Sequence, residues 1–506
     1  MSEPSLSANP SSISEAPAAK TASLWQQFLR SAHWLLLLPL LLDLGYSYVQ
    51  HLNVPHDGDM VAHVLPRPWY TLILDDPLGL KVLLQNQYYS SPNRYFAFAT
   101  LYQYMHNVPL WLQAFVDPIY STYMACAIAK TIIQAALISL LAYYAGERVS
   151  LSAKVFLIAA LLATPFFQTA GFHEEIGIID RSITYTIFYA LPLALLLVYF
   201  LPFYRRFFAQ AQKQVSVIWH IILPAFAVVL ALNGPLIPAV AGLMSGAMLL
   251  YLWQRNYSQR SNSSETFVIK AWSAIRNLPW GVTAQFCFLI LVCAYSLYIG
   301  THNSENITTY TLAQRYEKLW LGIPIMLGGS WAFPLLFFAT LFNVAVVAFG
   351  FKDEKAKALR KTALWLLALA ALYLALLPLG GYRDVRPYIL RRDTIIPVTL
   401  CFIYLFSTTS IYLLSRFANG YKYAYIAALA ALVWFYSATD RSNLRENNCE
   451  VAALQTIAQS KEKVVHLESD CSIMNWGTIT DSKYSEEQGK MLHYWRITKE
   501  EKRFYH

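Results

Sequence analysis

The sequence predicts an all-α polytopic membrane protein of about eleven transmembrane helices. Hydrophobic residues fill 56% of its 506 positions and charged residues only 14%, whereas a soluble domain is about a quarter charged. Too little polar side-chain surface remains to cover a water-soluble globule of this size. The apolar residues come in runs near the ~20 residues that cross ~30 Å of hydrocarbon. Basic residues fall in short loops between those runs, which is how membrane topology is encoded. The 14 Trp and 34 Tyr suit the headgroup boundary, where one end of a ring is greasy and the other wet. The formal charge of +9 is dispersed among loops rather than gathered in a stripe, and points away from nucleic acid as a partner.

Residues 1–24, rich in Ser, Pro and Ala, read as a disordered cytoplasmic tail. The first apolar run lies too far in, and is too long, for a simple cleaved signal peptide. Within a transmembrane domain of residues 25–438, spans are expected at 31–50, 119–144, 154–171, 181–203, 216–233, 235–253, 281–300, 332–350, 362–379, 394–415 and 421–438. Asn233-Gly234-Pro235 is the turn that divides 216–253, as two spans or a re-entrant pair.

Lys and Arg counts give the spans their sides. Lys20, Arg30, Arg148, Lys154, Arg205, Arg206, Lys213, Arg255, the cluster Lys352–Lys361 and Arg416 share one side, assigned to the cytoplasm. The N-terminus is then inside and the C-terminus outside. The opposite side carries the long connections 51–118, 301–331 and 380–393 and a small external domain, 439–506. Cys449 and Cys471 are the only cysteines outside apolar runs, and a disulfide between them suits an oxidising compartment. A helix near 450–460 and a strand at 464–467 make this segment a small α/β appendage.

The external loop 51–118 holds the most informative residues. Asp57-Gly58-Asp59 follows the first span directly. Two carboxylates one residue apart can turn toward one point, as a general base or as ligands for a divalent cation such as Mg²⁺ or Mn²⁺. The bland reading is a solvated turn before an Asp-capped helix. The rest of the loop has apolar residues at helical spacing, interrupted by Lys81, Arg94 and several Tyr, and suits interfacial helices in contact with membrane lipids. A second acidic loop carries Glu174, Glu175 and Asp180. Before the tenth span, Arg383, Arg386, Arg391 and Arg392 fall within ten residues, on the side that topology should leave poor in positive charge. Arg matches phosphate oxygens in a bidentate way; attraction to anionic headgroups is the alternative. Inside the spans, Asp43 and Lys130 read as an intramembrane pair. No Walker A loop, H-E-x-x-H or G-x-S-x-G motif occurs, so ATP-driven transport and zinc proteolysis lack support.

Taken together, the inside N-terminus, the long first external loop, Asp57 and Asp59 just after span 1, the acids of the second loop and the external C-terminal segment resemble the GT-C superfamily of polytopic glycosyltransferases. The likeness is architectural and covers most of the chain; its motifs are short. It implies a polyprenyl-phosphate-linked sugar as donor and a glycan, lipid or protein acceptor. It also implies an inverting displacement at the external face. The short loops and the absence of a long Ser/Thr-rich external segment point to a bacterial inner membrane. Asp57 or Asp59 would then be the base, and the arginine stretch would contact the donor phosphate. The chain lacks the larger external domain and signature motif of oligosaccharyltransferases. A lipid-linked polysaccharide polymerase or ligase, a transporter or flippase, and a silent scaffold remain alternatives from other classes.

Overall fold

The computed structural model describes residues 32–149, 152–209, 214–259 and 266–506, except 307, 382, 385, 387 and 442. The tail expected at 1–24 lies outside them. The described chain is mostly helical with almost no sheet. Eight of its helices are long and apolar enough to cross a membrane: His33–Leu52, Pro118–Gly146, Ile183–Phe207, Ile237–Ser258, Trp280–Gly300, Ala332–Gly350, Glu354–Gly380 and Arg392–Arg416.

The other three expected spans are helices of lesser reach. Ala153–Phe166 is short, because Pro165 turns its last residues into a 3₁₀ turn. Val217–Ala231 is also short and stops ahead of Gly234, whose φ is +132°. A Cβ there would sit 2.5 Å from the Phe188 carbonyl oxygen, so the turn needs glycine. Asn419–Thr439 is long enough, but Lys422 and its tyrosines dilute its hydropathy.

Large apolar side chains stay exposed along the spans, among them Leu42, Ile132, Leu291, Phe342, Phe349 and Trp434. A water-soluble surface does not carry apolar area on this scale. The Arg392–Arg416 helix is the most enclosed span and packs on Ala332–Gly350, Pro118–Val149 and Ala153–Ala163. One end of the bundle is closed by Asp353, which caps the Glu354–Leu376 helix and pairs with Arg416 at 2.8 Å.

The other end carries the 53–117 segment, folded as helices Met60–Val64, Pro68–Asp75, Leu80–Gln85 and Tyr95–Leu112. A helix the sequence reading did not separate, Leu312–Gly328, begins at a capping box of Thr311 and Gln314. The C-terminal residues form helices Asn448–Gln459 and Glu486–Tyr494 and two parallel strands, Val464–His466 and Arg503–Tyr505. Cys449 and Cys471 are joined, with Cα atoms 5.9 Å apart. This segment shares one apolar core with the first loop: Met60, Val64, Phe98 and Leu101 pack with Leu454, Ile457, Leu492 and Trp495. The buried Trp495 indole N–H donates to the Met105 carbonyl at 2.9 Å, and Arg67 pairs with Glu487 at 2.7 Å. The segment is thus built into the end of the bundle rather than appended to it.

Candidate functional site

The acid pair lies on the turn between the Leu37–Leu52 and Met60–Val64 helices. Asp57 is buried. Its Oδ1 accepts the Thr184 hydroxyl at 3.0 Å and the Asp59 N–H at 3.1 Å, and its Oδ2 faces the Thr184 N–H at 3.4 Å. Burial, reinforced by the charge of Asp59, raises the Asp57 pKa, against the pull of hydrogen bonds from Ser182 and Thr184. Asp59 is half-buried. It stands at the N-cap of the Met60–Val64 helix without a side-chain cap bond, and its Oδ1 instead accepts the Trp476 indole N–H at 3.1 Å.

Residues 180–186 are where the scattered candidates meet. Asp180 accepts the Ser182 N–H at 2.8 Å, Ser182 caps the Tyr185 N–H at 3.1 Å, and Thr186 donates to the Asp180 carbonyl at 2.9 Å. A π turn over Thr186–Ala190 follows; such turns widen the helix and occur often at functional sites. Tyr185 and Tyr189 stack there, with ring centroids 5.6 Å apart. On this short segment Asp57 is held by Thr184, while Arg386 donates to the Tyr185 hydroxyl at 2.8 Å. Arg392 donates to Asp180 at 2.7 Å and pairs with Glu174 at 3.1 Å.

The four arginines have separate partners. Arg383 pairs with Glu305, Arg391 with Asp393 at 2.9 Å, and Arg392 joins the second acidic loop. His173 and Arg392 hold the Glu174 carboxyl down at about 2 against the effect of burial. Among the described residues, none forms an ion pair with Glu175. The expected Asp43–Lys130 pair does not form either. Lys130 is buried and donates to the Arg181 carbonyl, beside the charges of Asp57 and Asp180. Arg181 in turn pairs with Glu446.

Several contributors carry no sequence motif. Glu305, between Trp280–Gly300 and Leu312–Gly328, accepts the Tyr70 hydroxyl at 2.6 Å and the Ser90 hydroxyl at 2.7 Å, besides Arg383. Burial would raise its pKa; Arg383 and these donors lower it. A bridge between Tyr89 and Asn303 brings this loop to the first one. Arg94 lies within the fields of Glu305, Arg383 and Tyr70, and its Nε is buried without a hydrogen-bond partner. Glu450, beside the disulfide, accepts bonds from His56, Tyr123 and Met474.

Below this end runs an apolar cavity of about 490 Å³, lined by Leu193, Leu197, Met244, Leu369, Tyr373 and Tyr404 among others. On one helix its walls run from Tyr373 to Ala358, or about 22 Å at 1.5 Å per residue. Its near end lies at Tyr373, whose hydroxyl donates to the Thr394 carbonyl at 2.8 Å. At the far end Lys361 sits over the Tyr251 ring at 5.1 Å.

Among the described residues no three His, Cys, Asp or Glu side chains gather to hold an ion, and both Asp57 oxygens face donors. The chain matches no family model and no curated protein.

Proposed function

We propose that this chain is an integral membrane glycosyltransferase that takes a sugar from a polyprenyl-phosphate carrier and transfers it, with inversion, to an acceptor at the external face of a bacterial inner membrane. The observation that carries the reading is the convergence on residues 180–186. Asp57 is distant in sequence from Arg386 and Arg392, yet all three contact this segment; the apolar cavity ends at Tyr373, whose hydroxyl bonds Thr394, two residues on from Arg392. An acid beside arginines suits proton removal next to a phosphate leaving group. A pocket of ~300–1,000 Å³ is the size that encloses a ligand, and an apolar one suits a hydrocarbon tail. The basic loops at the other end of the bundle support the orientation, with the N-terminus cytoplasmic and the C-terminus external.

Asp59 is the proton acceptor in this scheme. Its Oδ1 takes the Trp476 N–H, whereas Asp57 faces Thr184 with both oxygens and positions the turn. The acceptor hydroxyl gives its proton to Asp59 as its oxygen attacks the anomeric carbon. The bond from that carbon to the phosphate oxygen breaks, and its electron pair leaves on the phosphate. Arg386, which donates to the Tyr185 hydroxyl, and Arg94 face the charge that builds there.

The test is transfer from a radiolabelled polyprenyl-phosphate sugar in vesicles prepared from cells expressing the chain. D59N and R386Q should each lower transfer by at least 100-fold, the scale of a lost catalytic base or charge stabiliser. Full activity in both overturns the assignment.

A further inference from the structure

Trp476 stands where an acceptor would have to arrive. Its loop rests directly on the acid turn: a Cβ on Gly58 would lie 2.6 Å from the Trp476 backbone nitrogen, so only glycine lets the two segments meet. The indole N–H is fixed on Asp59 Oδ1 at 3.1 Å, yet 65% of the residue stays exposed. The loop behind it is anchored. Met474 is buried, with φ at +45°; its N–H donates to Glu450 at 3.1 Å, and its carbonyl accepts Gln488 at 3.3 Å. The Cys449–Cys471 disulfide ties the same loop to the Asn448–Gln459 helix.

The indole is held by its N–H edge with Cδ1 and Cγ against Gly58, and the exposed remainder leaves part of its ring faces open. Those faces are apolar and carry the negative lobe of the ring quadrupole. The C–H face of a pyranose ring is apolar and weakly positive, and is therefore complementary to them. Because the N–H is a donor only and is already used, the ring serves as a platform rather than as a hydrogen-bonding group. A sugar stacked on it would bring its hydroxyls beside Asp59.

We propose that Trp476 is the acceptor-side platform, and that the acceptor it takes is a carbohydrate. This rests on the glycosyltransferase reading and narrows it to a glycan acceptor. The test is saturation-transfer NMR of the full chain in detergent, with the methyl glycosides of glucose, galactose, mannose and N-acetylglucosamine as probes. At least one glycoside should show saturation at its ring C–H protons; W476A should remove the signal, and W476F, which keeps an aromatic face, should restore at least half of it. No signal from any of the four, or an unchanged signal in W476A, overturns the proposal. Loss of fluorescence quenching by brominated lipids in W476F proteoliposomes would place the indole in the bilayer and overturn it as well. The readout is binding, so D59N should keep the signal while losing transfer. A chain that binds glycosides through Trp476 but transfers nothing would sink the transferase reading alone.

Discussion

Glu450 and His56 stand 394 positions apart in the chain, and the His56 N–H donates to the Glu450 carboxylate at 2.9 Å. The His56 Nδ1 lies 3.2 Å from the same oxygen, the Tyr123 hydroxyl donates to it at 2.7 Å, and the Met474 N–H donates to the other oxygen at 3.1 Å. One fully buried carboxylate thereby joins the C-terminal segment, the Pro118–Val149 helix and the residue just before Asp57. Burial alone would raise its pKa; His56 and the hydrogen-bond donors outweigh that and lower it.

E450Q should therefore loosen this end of the bundle while the spans stay folded. Hydrogen bonds to a charged group contribute roughly 1.5–3 kcal/mol, and a loss of that order is expected at pH 7. A carboxyl whose folded pKa lies below its unfolded value contributes stability above the unfolded value, and loses it as pH falls through the folded one. The gap in melting temperature between wild type and E450Q in detergent should thus narrow as pH drops below about 4.5. A gap that does not change with pH would contradict a charged Glu450.

Asp57 has the opposite sign. Its folded pKa is raised above 3.8, by burial first and then by Asp59. Its contribution is favourable below that value and is lost as pH rises through the folded pKa, where a buried charge must form. D57N keeps an acceptor oxygen for Thr184 without the charge. It should melt no lower than wild type at pH 7, gain relative to it as pH rises from 4 to 8, and transfer sugar at least 10-fold more slowly. Lower stability that is constant across that range would refute the assignment.

The parts of this architecture written in runs could be read from the sequence. Apolar stretches placed all eight long helices, Asn233-Gly234-Pro235 marked a turn, and the position of Cys449 and Cys471 outside the spans singled them out. Single polar residues in mixed loops gave no such signal. Glu305 and Tyr185 gain their roles only when separate loops are brought to one end of the bundle, which no spacing rule encodes. Lys130 and Asp43 match in charge and in depth along their spans, but the Lys130 ammonium donates to the Arg181 carbonyl instead. Glu450 was detectable in principle: it is an acid set among Val451, Leu454 and Ile457, on the buried side of an otherwise amphipathic helix. Ala153–Phe166, Val217–Ala231 and Asn419–Thr439 fall outside the eight long apolar helices because a proline, a glycine turn and scattered tyrosines weaken an apolar run without removing it.

The disulfide should act mainly on the same end of the bundle. It closes a loop of sequence separation 22, for which chain entropy gives about 3 kcal/mol. C449S/C471S should lower the melting temperature and expose the 471–481 loop to protease, while the spans stay folded by circular dichroism. If acceptor binding depends on how that loop holds Trp476, glycoside signals should weaken in the same variant. Equal protease resistance in the oxidised and serine forms would argue against this tether.

The cavity yields the prediction that best separates a lipid-tail site from an incidental void. Ala247 and Ala370 line it from different helices and are only half-buried, so larger side chains can grow into the empty space rather than into packed neighbours. Overpacking a filled core costs roughly 1–3 kcal/mol, and little of that cost should arise here. A247W and A370F should therefore melt near the wild-type temperature. A hydrocarbon tail that occupies the cavity would be displaced by the added rings, and KM for a long-chain polyprenyl-phosphate sugar should rise at least 10-fold, or about 1.4 kcal/mol of lost binding. A short-chain, water-soluble donor reaches only the arginine end and should keep its KM in both variants. Equal effects on the two donors would mean that the substitutions act through the fold. No effect on either would mean that the tail lies elsewhere, along the lipid-facing surface of the spans, and the cavity would then have no part in holding the donor.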